Sequence, residues 1–428
     1  MPEEIEANRE GVQDVPVEVP SGQLLVILSN NVAYLTHTIH KYPAKFIPQI
    51  PRWAIGKYLH KQSSLVLDPF CGSGTTLVEA LVSHQNSVGI DIDPLSALIS
   101  KVKTTPIQQE KLHSVVNEIK QSIKSRKTGQ FIPKIKTLNH WFNEGNIREL
   151  SIIRDCIEKY REDKDIYDFL IITFSSIIRK ASNADNQTQK TYVSHTLTKV
   201  VPPAIPLFFR NLDLYSRRVC ELFGLVDSRN FASVFRADSR QTDSLWKVEK
   251  LPEVDLVITS PPYIKAIDYI YNQMAEYFWI GDLFNLETQP KQNDFKRYYI
   301  GTKQIKAAEY QSIPTTSIDG IDLLVSEIAK KNMKHGYIVA KFFNDMKLHF
   351  KTVYKTMRKD SHYVMVIGNN TVSGLHVPSH DFIRECAEKA GFGYCSHFGY
   401  SIRNRYMRFP RSGRGGIIKE DWVLDFVK

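Results

Sequence analysis

The stretch at 63–100 reads SSLVLDPFCGSGTTLVEALVSHQNSVGIDIDPLSALIS, and its hydrophobic pattern decides the fold. Leu65-Val66-Leu67 is a short unbroken apolar run, the mark of a strand buried on both faces. Gly72 and Gly74 form a tight turn, Thr75 to about His84 has helical spacing, and Ser87 to Ile92 is a second apolar run. Strand, turn, helix and strand make a βαβ unit with parallel strands. Outward from this unit, strand character recurs at 23–30, 231–240, 254–260, 336–343, 362–370 and 393–402. Helical spacing occupies 51–59, 268–283, 317–332, 346–359 and 379–390. The alternation predicts an α/β fold with a doubly wound parallel sheet.

One segment interrupts the alternation. Between 105 and 230 the texture is helical, with Ile147, Leu150, Ile153 and Ile157 near one helix face, further helices at 166–180 and before Gly224, and a polar loop at 181–196. The expected organisation is a flexible acidic tail at 1–22, an α/β domain at 23–104 and 231–428, and a mostly helical insertion at 105–230. Lysines crowd its start: Lys101, Lys103, Lys111, Lys120, Lys124, Lys127, Lys134 and Lys136.

Composition sets outer bounds. Of 428 residues, 42% are hydrophobic and 24% charged, as in soluble globular proteins. The net charge of +10 fits a solvated basic surface or a polyanion partner such as nucleic acid. Five scattered cysteines without a C-x-x-C pair point away from zinc and disulfide frameworks and toward a reducing, cytoplasmic compartment. No apolar run approaches the roughly 18 residues that a membrane span needs, and the acidic start is no signal peptide. His37 and His40 lack further ligands, so no metal site is expected.

The chemistry gathers at strand ends. Gly72 and Gly74 let the backbone approach a ligand, and the following helix offers free N–H groups. A nicotinamide fingerprint would need glycine at 77, where Leu77 stands, and Thr75-Thr76 replace a P-loop lysine. A neutral or cationic adenosyl ligand therefore fits better than a phosphorylated nucleotide, with Asp68 at the strand end as a polar anchor. Asp91, seventeen residues after Gly74, is placed to accept hydrogen bonds from two ribose hydroxyls, with Asp93 as a competitor. Asp238 either reaches an adenine amino group or caps the next segment.

DLVITSPPYIKAIDY at 255–269 ends a strand on two prolines that cannot continue a sheet ladder. Ser260-Pro261-Pro262-Tyr263 then faces the glycine loop. The Ser260 hydroxyl and the Pro261 carbonyl can accept two hydrogen bonds from one planar amine, and Tyr263 can stack on the base carrying it. A rigid turn is the plain alternative.

DPFCGSGTT, GIDIDP and TSPPY, in this order, resemble the amino-specific, S-adenosylmethionine-dependent DNA methyltransferases. Serine in first place resembles the N4-cytosine branch rather than the N6-adenine branch. HKYPAKF at 40–46 looks like the motif that covers the cofactor's methionine part, and the ending from Ile402 resembles endings in SPPY-bearing members. The resemblance implies the class I methyltransferase fold, with Asp68, Phe70, Gly72 and Gly74 lining the cofactor pocket. It implies Asp91 on the ribose, Asp238 on the adenine, Lys45 and Phe46 near the methionine end, and Ser260, Pro261 and Tyr263 on the flipped base. It also implies double-stranded DNA as substrate, a prokaryotic cell, and a restriction-modification setting with a cognate endonuclease acting separately. The insertion is then a candidate target-recognition region, or else a lid or dimerisation element. Arg403, Arg405, Arg408, Arg411 and Arg414, interleaved with Tyr406 and Phe409, suit a DNA backbone. Adenine N6 methylation and a non-catalytic nucleic-acid-binding module are the alternatives.

Overall fold

The computed structural model describes residues 9–29, 31–43, 45–185, 190–194, 199–265, 268–402 and 418–428. Its centre is a nine-stranded sheet built from β1 (Arg9–Val12), β2 (Leu24–Ile27), β3 (Leu65–Asp68), β4 (Asn86–Asp91), β5 (Ala232–Arg236), β6 (Val254–Thr259), β7 (Met357–Gly368), β10 (Gly393–Ser401) and β11 (Glu420–Val427). A separate hairpin joins β8 (Asn370–Val372) to β9 (Leu375–Val377). The sheet order is β1-β2-β10-β11-β7-β6-β3-β4-β5.

Strands β7, β6, β3, β4 and β5 are mutually parallel. The chain winds outward from β3 to β4 and β5, then returns to the other side of β3 as β6 and β7. That reversal opens a crevice beyond the carboxyl ends of β3 and β6, where doubly wound sheets bind ligands. Asp68 and Thr259 end these two strands, and the Thr259 hydroxyl donates to Asp68 Oδ1 at 2.6 Å.

Three expectations change. First, 336–343 is not a strand but part of one helix, Met333–Tyr354, capped by the Asn332 side chain on the His335 N–H. Ile338, Val339, Phe342, Phe343, Met346 and Phe350 are all buried, so the apolar run carried no period and only helix length could identify it. Second, a strand not foreseen after 393–402, β11, inserts antiparallel between β10 and β7. Third, the tail at 1–22 is not loose in its described half. β1 pairs parallel with β2, and the Trp53 indole donates to the Val17 carbonyl at 3.1 Å.

The segment 105–230 supplies helices Gln109–Ser125, Glu144–Ile157, Lys164–Ala181 and Ala204–Phe223. Their apolar faces merge with Leu95, Ile99 and Val102 of helix Pro94–Thr104 and with Tyr277, Phe278 and Trp279 of helix Met274–Ile280. The segment thus shares one core with the sheet's own helices. Of the lysines near its start, one turns inward and three form ion pairs at the surface. Lys103 is fully buried, Lys101 pairs with Asp168, Lys111 with Asp163 and Lys120 with Asp213. Lys124, Lys127, Lys134 and Lys136 are exposed.

Candidate active site

A crevice of about 590 Å³ lies over the ends of β3, β4 and β6. Phe70 and Gly72 line it, whereas Asp68 and Gly74, also expected there, do not; Asp68 is buried at the end of β3, and burial pushes its carboxyl up to about 6, against hydrogen bonds from Thr259, Thr76 and the Phe70 N–H. The chain then turns through Gly72 at φ +48° and Gly74 at φ +77°, left-handed values that favour glycine. A side chain at Gly74 would sit 3.0 Å from the Ser100 Cα. The Ser100 hydroxyl holds the Gly72 carbonyl at 2.8 Å.

The structure separates the two acidic candidates on β4. Asp91 lines the crevice, and its two oxygens each accept one backbone N–H, from Gly72 and from Asp93, both at 2.8 Å. Each oxygen keeps a lone pair for a ligand. Burial first, then the neighbouring Asp93, push its carboxyl up to about 7. Asp93 is buried and already engaged. It caps helix Pro94–Thr104 through the Ser96 N–H at 2.8 Å and accepts hydroxyls from Tyr277 at 3.1 Å and Tyr299 at 2.5 Å.

An aromatic wall flanks the carboxylates. The Tyr42 and Tyr269 rings stack at 5.8 Å, and Tyr269 stacks on Tyr299 at 6.2 Å. The Tyr42 hydroxyl bonds the Ser96 hydroxyl at 2.9 Å. Sequence reasoning missed this wall. In HKYPAKF it singled out Lys45 and Phe46, and neither lines the crevice. Phe46 is buried in a core cluster with Ile50 and Trp53, while the Lys45 ammonium donates to the His37 carbonyl at 3.2 Å. The signal was present: Phe46, Ile50 and Trp53 recur at helical spacing, which marks a core face and leaves Tyr42 as the residue free for a ligand.

Asp238 lines the crevice and also caps its own turn. It accepts the Arg240 N–H at 2.9 Å and pairs with the Arg240 guanidinium at 2.6 Å, which in turn reaches Asp345 at 3.0 Å. Arg240 was not foreseen. Phe70 also lines the crevice, its ring 4.7 Å from that of His349. No lysine or arginine is among the described residues lining it.

At the mouth, Ser260 and Pro262 face the crevice and Pro261 is buried behind them. Tyr263 is half-buried and lies off the crevice; its hydroxyl donates to Asp421 Oδ1 at 2.7 Å. A second hollow of about 400 Å³ shares Pro262, Tyr269, Tyr299 and Ile300 with the first and extends to Gln304. Gly301, at φ +75°, lets this strap cross the clamp loop: a Cβ there would lie 2.7 Å from the Tyr263 carbonyl. Gly301→Ala should therefore cost about 1–3 kcal/mol from left-handed strain and the clash. A thermal melt of the variant should fall by several degrees, and an unchanged melt would remove the close approach.

His37 bonds Glu79 at 2.7 Å and His40 bonds the Ser175 hydroxyl at 3.0 Å, both buried and neither joined by further metal ligands. Elsewhere, His362, Cys395 and Asp425 gather within 4.8 Å, but the Asp425 carboxylate is already held by Tyr58 at 2.7 Å and His362 at 2.9 Å. Arg403, Arg405, Arg408, Arg411 and Arg414 lie outside the described residues. So does part of the polar loop at 181–196. Among the described residues, no helix is long and apolar enough to cross a membrane.

Comparison with known proteins adds an independent line. Residues 21–101 match the family model N6_N4_Mtase, described as DNA methylase. The type II methyltransferase M.MvaI of Kocuria varians is 29% identical over 415 residues, covering 90% of this chain and 88% of that one. The type II methyltransferase M.MjaII of Methanocaldococcus jannaschii is 26% identical, covering 74% of each chain. Among solved structures, the rRNA methyltransferase aviRa of Streptomyces viridochromogenes aligns over 93% of this chain and 91% of that one, at 10% identity. Its TM-score of 0.30 is too low to bear on fold or activity.

Proposed function

The chain belongs to the amino-methyltransferase family of DNA methylases, and on that premise we propose that it methylates the N4 amine of a flipped cytosine in double-stranded DNA. The methyl donor in this reading is S-adenosylmethionine. The observation that carries it is the charge and shape of the crevice. Asp91, Asp93 and Asp238 line it beside Ser260 and Pro262, with no basic side chain among the described residues that line it. A phosphorylated nucleotide would meet three carboxyl groups there and no lysine or arginine among the described residues. A sulfonium cation with a ribose and an adenine suits them.

The residues divide the work. Asp91 accepts the ribose hydroxyls, and Asp238 stands at the adenine side, with Arg240 balancing its charge. Tyr42 and Phe70 bound the crevice with apolar ring surface. When bound, the cofactor supplies an electrophilic methyl group on sulfur. Ser260 Oγ and the Pro261 carbonyl accept the two amine hydrogens, so the nitrogen lone pair points along one direction. Such placement converts a bimolecular encounter into an aligned transfer. The base must leave the helix stack to reach this loop, and a hollow lined by Pro262 and Tyr299 opens beside it.

Serine at the first clamp position supports cytosine through the family resemblance. Adenine N6 is the second reading, because the clamp grips any planar amine. The relatives are named type II methyltransferases, which supports a restriction-modification role alongside a separate endonuclease in a bacterial or archaeal cytoplasm. Exposed Lys124, Lys127, Lys134 and Lys136 keep the 105–230 segment a candidate DNA contact, together with the arginines after Ile402.

The deciding experiment is direct. DNA incubated with enzyme and methyl-labelled cofactor is digested to nucleosides and analysed by mass spectrometry. N4-methylcytosine is expected; N6-methyladenine would replace the cytosine assignment, and no labelled base at all would overturn the activity.

A further inference from the structure

Tyr263 follows Pro262 directly, yet its hydroxyl points to the sheet. Asp421 on β11 receives it. This carboxylate is 9% exposed, and both oxygens are occupied by phenols: Oδ1 by Tyr263 at 2.7 Å and Oδ2 by Tyr400 at 3.3 Å. Asp421 pairs across the ladder with Gly368. A Cβ at Gly368 would lie 2.9 Å from Tyr263 Cε2 and 3.0 Å from Asp421 Oδ1, so the bare backbone there is the gap through which ring and carboxylate meet.

Stability alone gives no reason for this arrangement. No lysine or arginine pairs with Asp421 among the described residues, and a buried carboxylate without a cation is costly. Burial accordingly raises its affinity for a proton, while the two tyrosine hydroxyls oppose the rise. Pro261 and Pro262, each with φ fixed by its ring, join Tyr263 stiffly to Ser260, so a tie at the Tyr263 hydroxyl restrains the residue at the head of the clamp.

We infer that Asp421 is a positioning residue, which holds the Tyr263 ring and through it Ser260 in the geometry that grips the target amine. The inference rests on the clamp reading of Ser260–Tyr263. Asp421 touches neither base nor cofactor. Its effect belongs to the chemical step, so it should appear in kcat and leave cofactor affinity unchanged.

A double-mutant cycle tests this. Asp421→Ala and Tyr263→Phe should each lower kcat by roughly tenfold, and the double variant should be no slower than either single one, because one bond is lost once. Asp421→Asn, which can still accept from Tyr263, should recover kcat to within about threefold of wild type. Calorimetric affinity for S-adenosylmethionine should stay within about twofold throughout. Multiplicative losses in the cycle, or wild-type kcat in Tyr263→Phe, would overturn the positioning role; the second result holds even if Asp421→Ala does not fold. A wild-type enzyme that transfers no methyl to DNA would instead overturn the clamp reading itself.

Discussion

Asp91→Ala should bind S-adenosylmethionine roughly 100-fold more weakly than the wild type in calorimetry. The carboxylate is the crevice group best placed to accept two ribose hydroxyls, and hydrogen bonds to a charged acceptor contribute about 1.5–3 kcal/mol, with 1.4 kcal/mol per tenfold in affinity. The substitution also frees the Gly72 N–H that Asp91 holds at 2.8 Å, so the glycine loop keeps only the Cys71 N–H to Ile90 carbonyl bond of these two ties to β4. An unchanged dissociation constant would remove the ribose role. The pH dependence sharpens the test. Asp91 titrates near 7 in the folded chain, against 3.8 as the ordinary value. Its folded value is raised, so its contribution to stability is fully present below about 3.8 and is lost as pH rises through about 7. Cofactor affinity should run the other way. It should fall as pH drops below about 7, because the neutral acid is a poorer acceptor. Asp91→Ala should show no such fall across that window.

Ser260→Ala should lower turnover by on the order of 10–100-fold and leave cofactor affinity within about twofold. As the amine attacks, its nitrogen gains positive charge, so the hydrogen bond to Ser260 strengthens from the neutral class to the charge-assisted class. An interaction that grows toward the transition state shows in kcat. Wild-type turnover in this variant would dismiss the amine clamp. Equal losses in kcat and in cofactor affinity would place Ser260 in the adenosyl site instead.

Different parts of this protein were legible to different degrees. The βαβ unit at 63–100 could be read because its period changes within one short span, from an apolar run to helical spacing and back. The end of β6 could be read because two prolines cannot extend a ladder. The segment 336–343 could not, since a helix buried on nearly all sides has the same unbroken apolar text as a buried strand. β11 was hidden for a related reason: its register is set by β7 and β10, which precede it in sequence but flank it in space.

The candidate site divides along the same line. Local sequence by itself determined the glycine turn, the acidic end of β4 and the stiff Ser-Pro-Pro-Tyr corner, because φ freedom, missing N–H donors and strand termini are properties of neighbouring residues. Only the tertiary structure shows that Asp93 is already engaged, by Tyr277 and Tyr299, almost two hundred residues away or more, which is why Asp91 is the one proposed for the ribose. The same holds for the wall of Tyr42, Tyr269 and Tyr299, for the burial of Lys103 and the ion pairs of Lys101, Lys111 and Lys120, and for the tie between Tyr263 and Asp421. A side chain's partner depends on the order in which strands are laid into the sheet, and that order is a property of the whole chain.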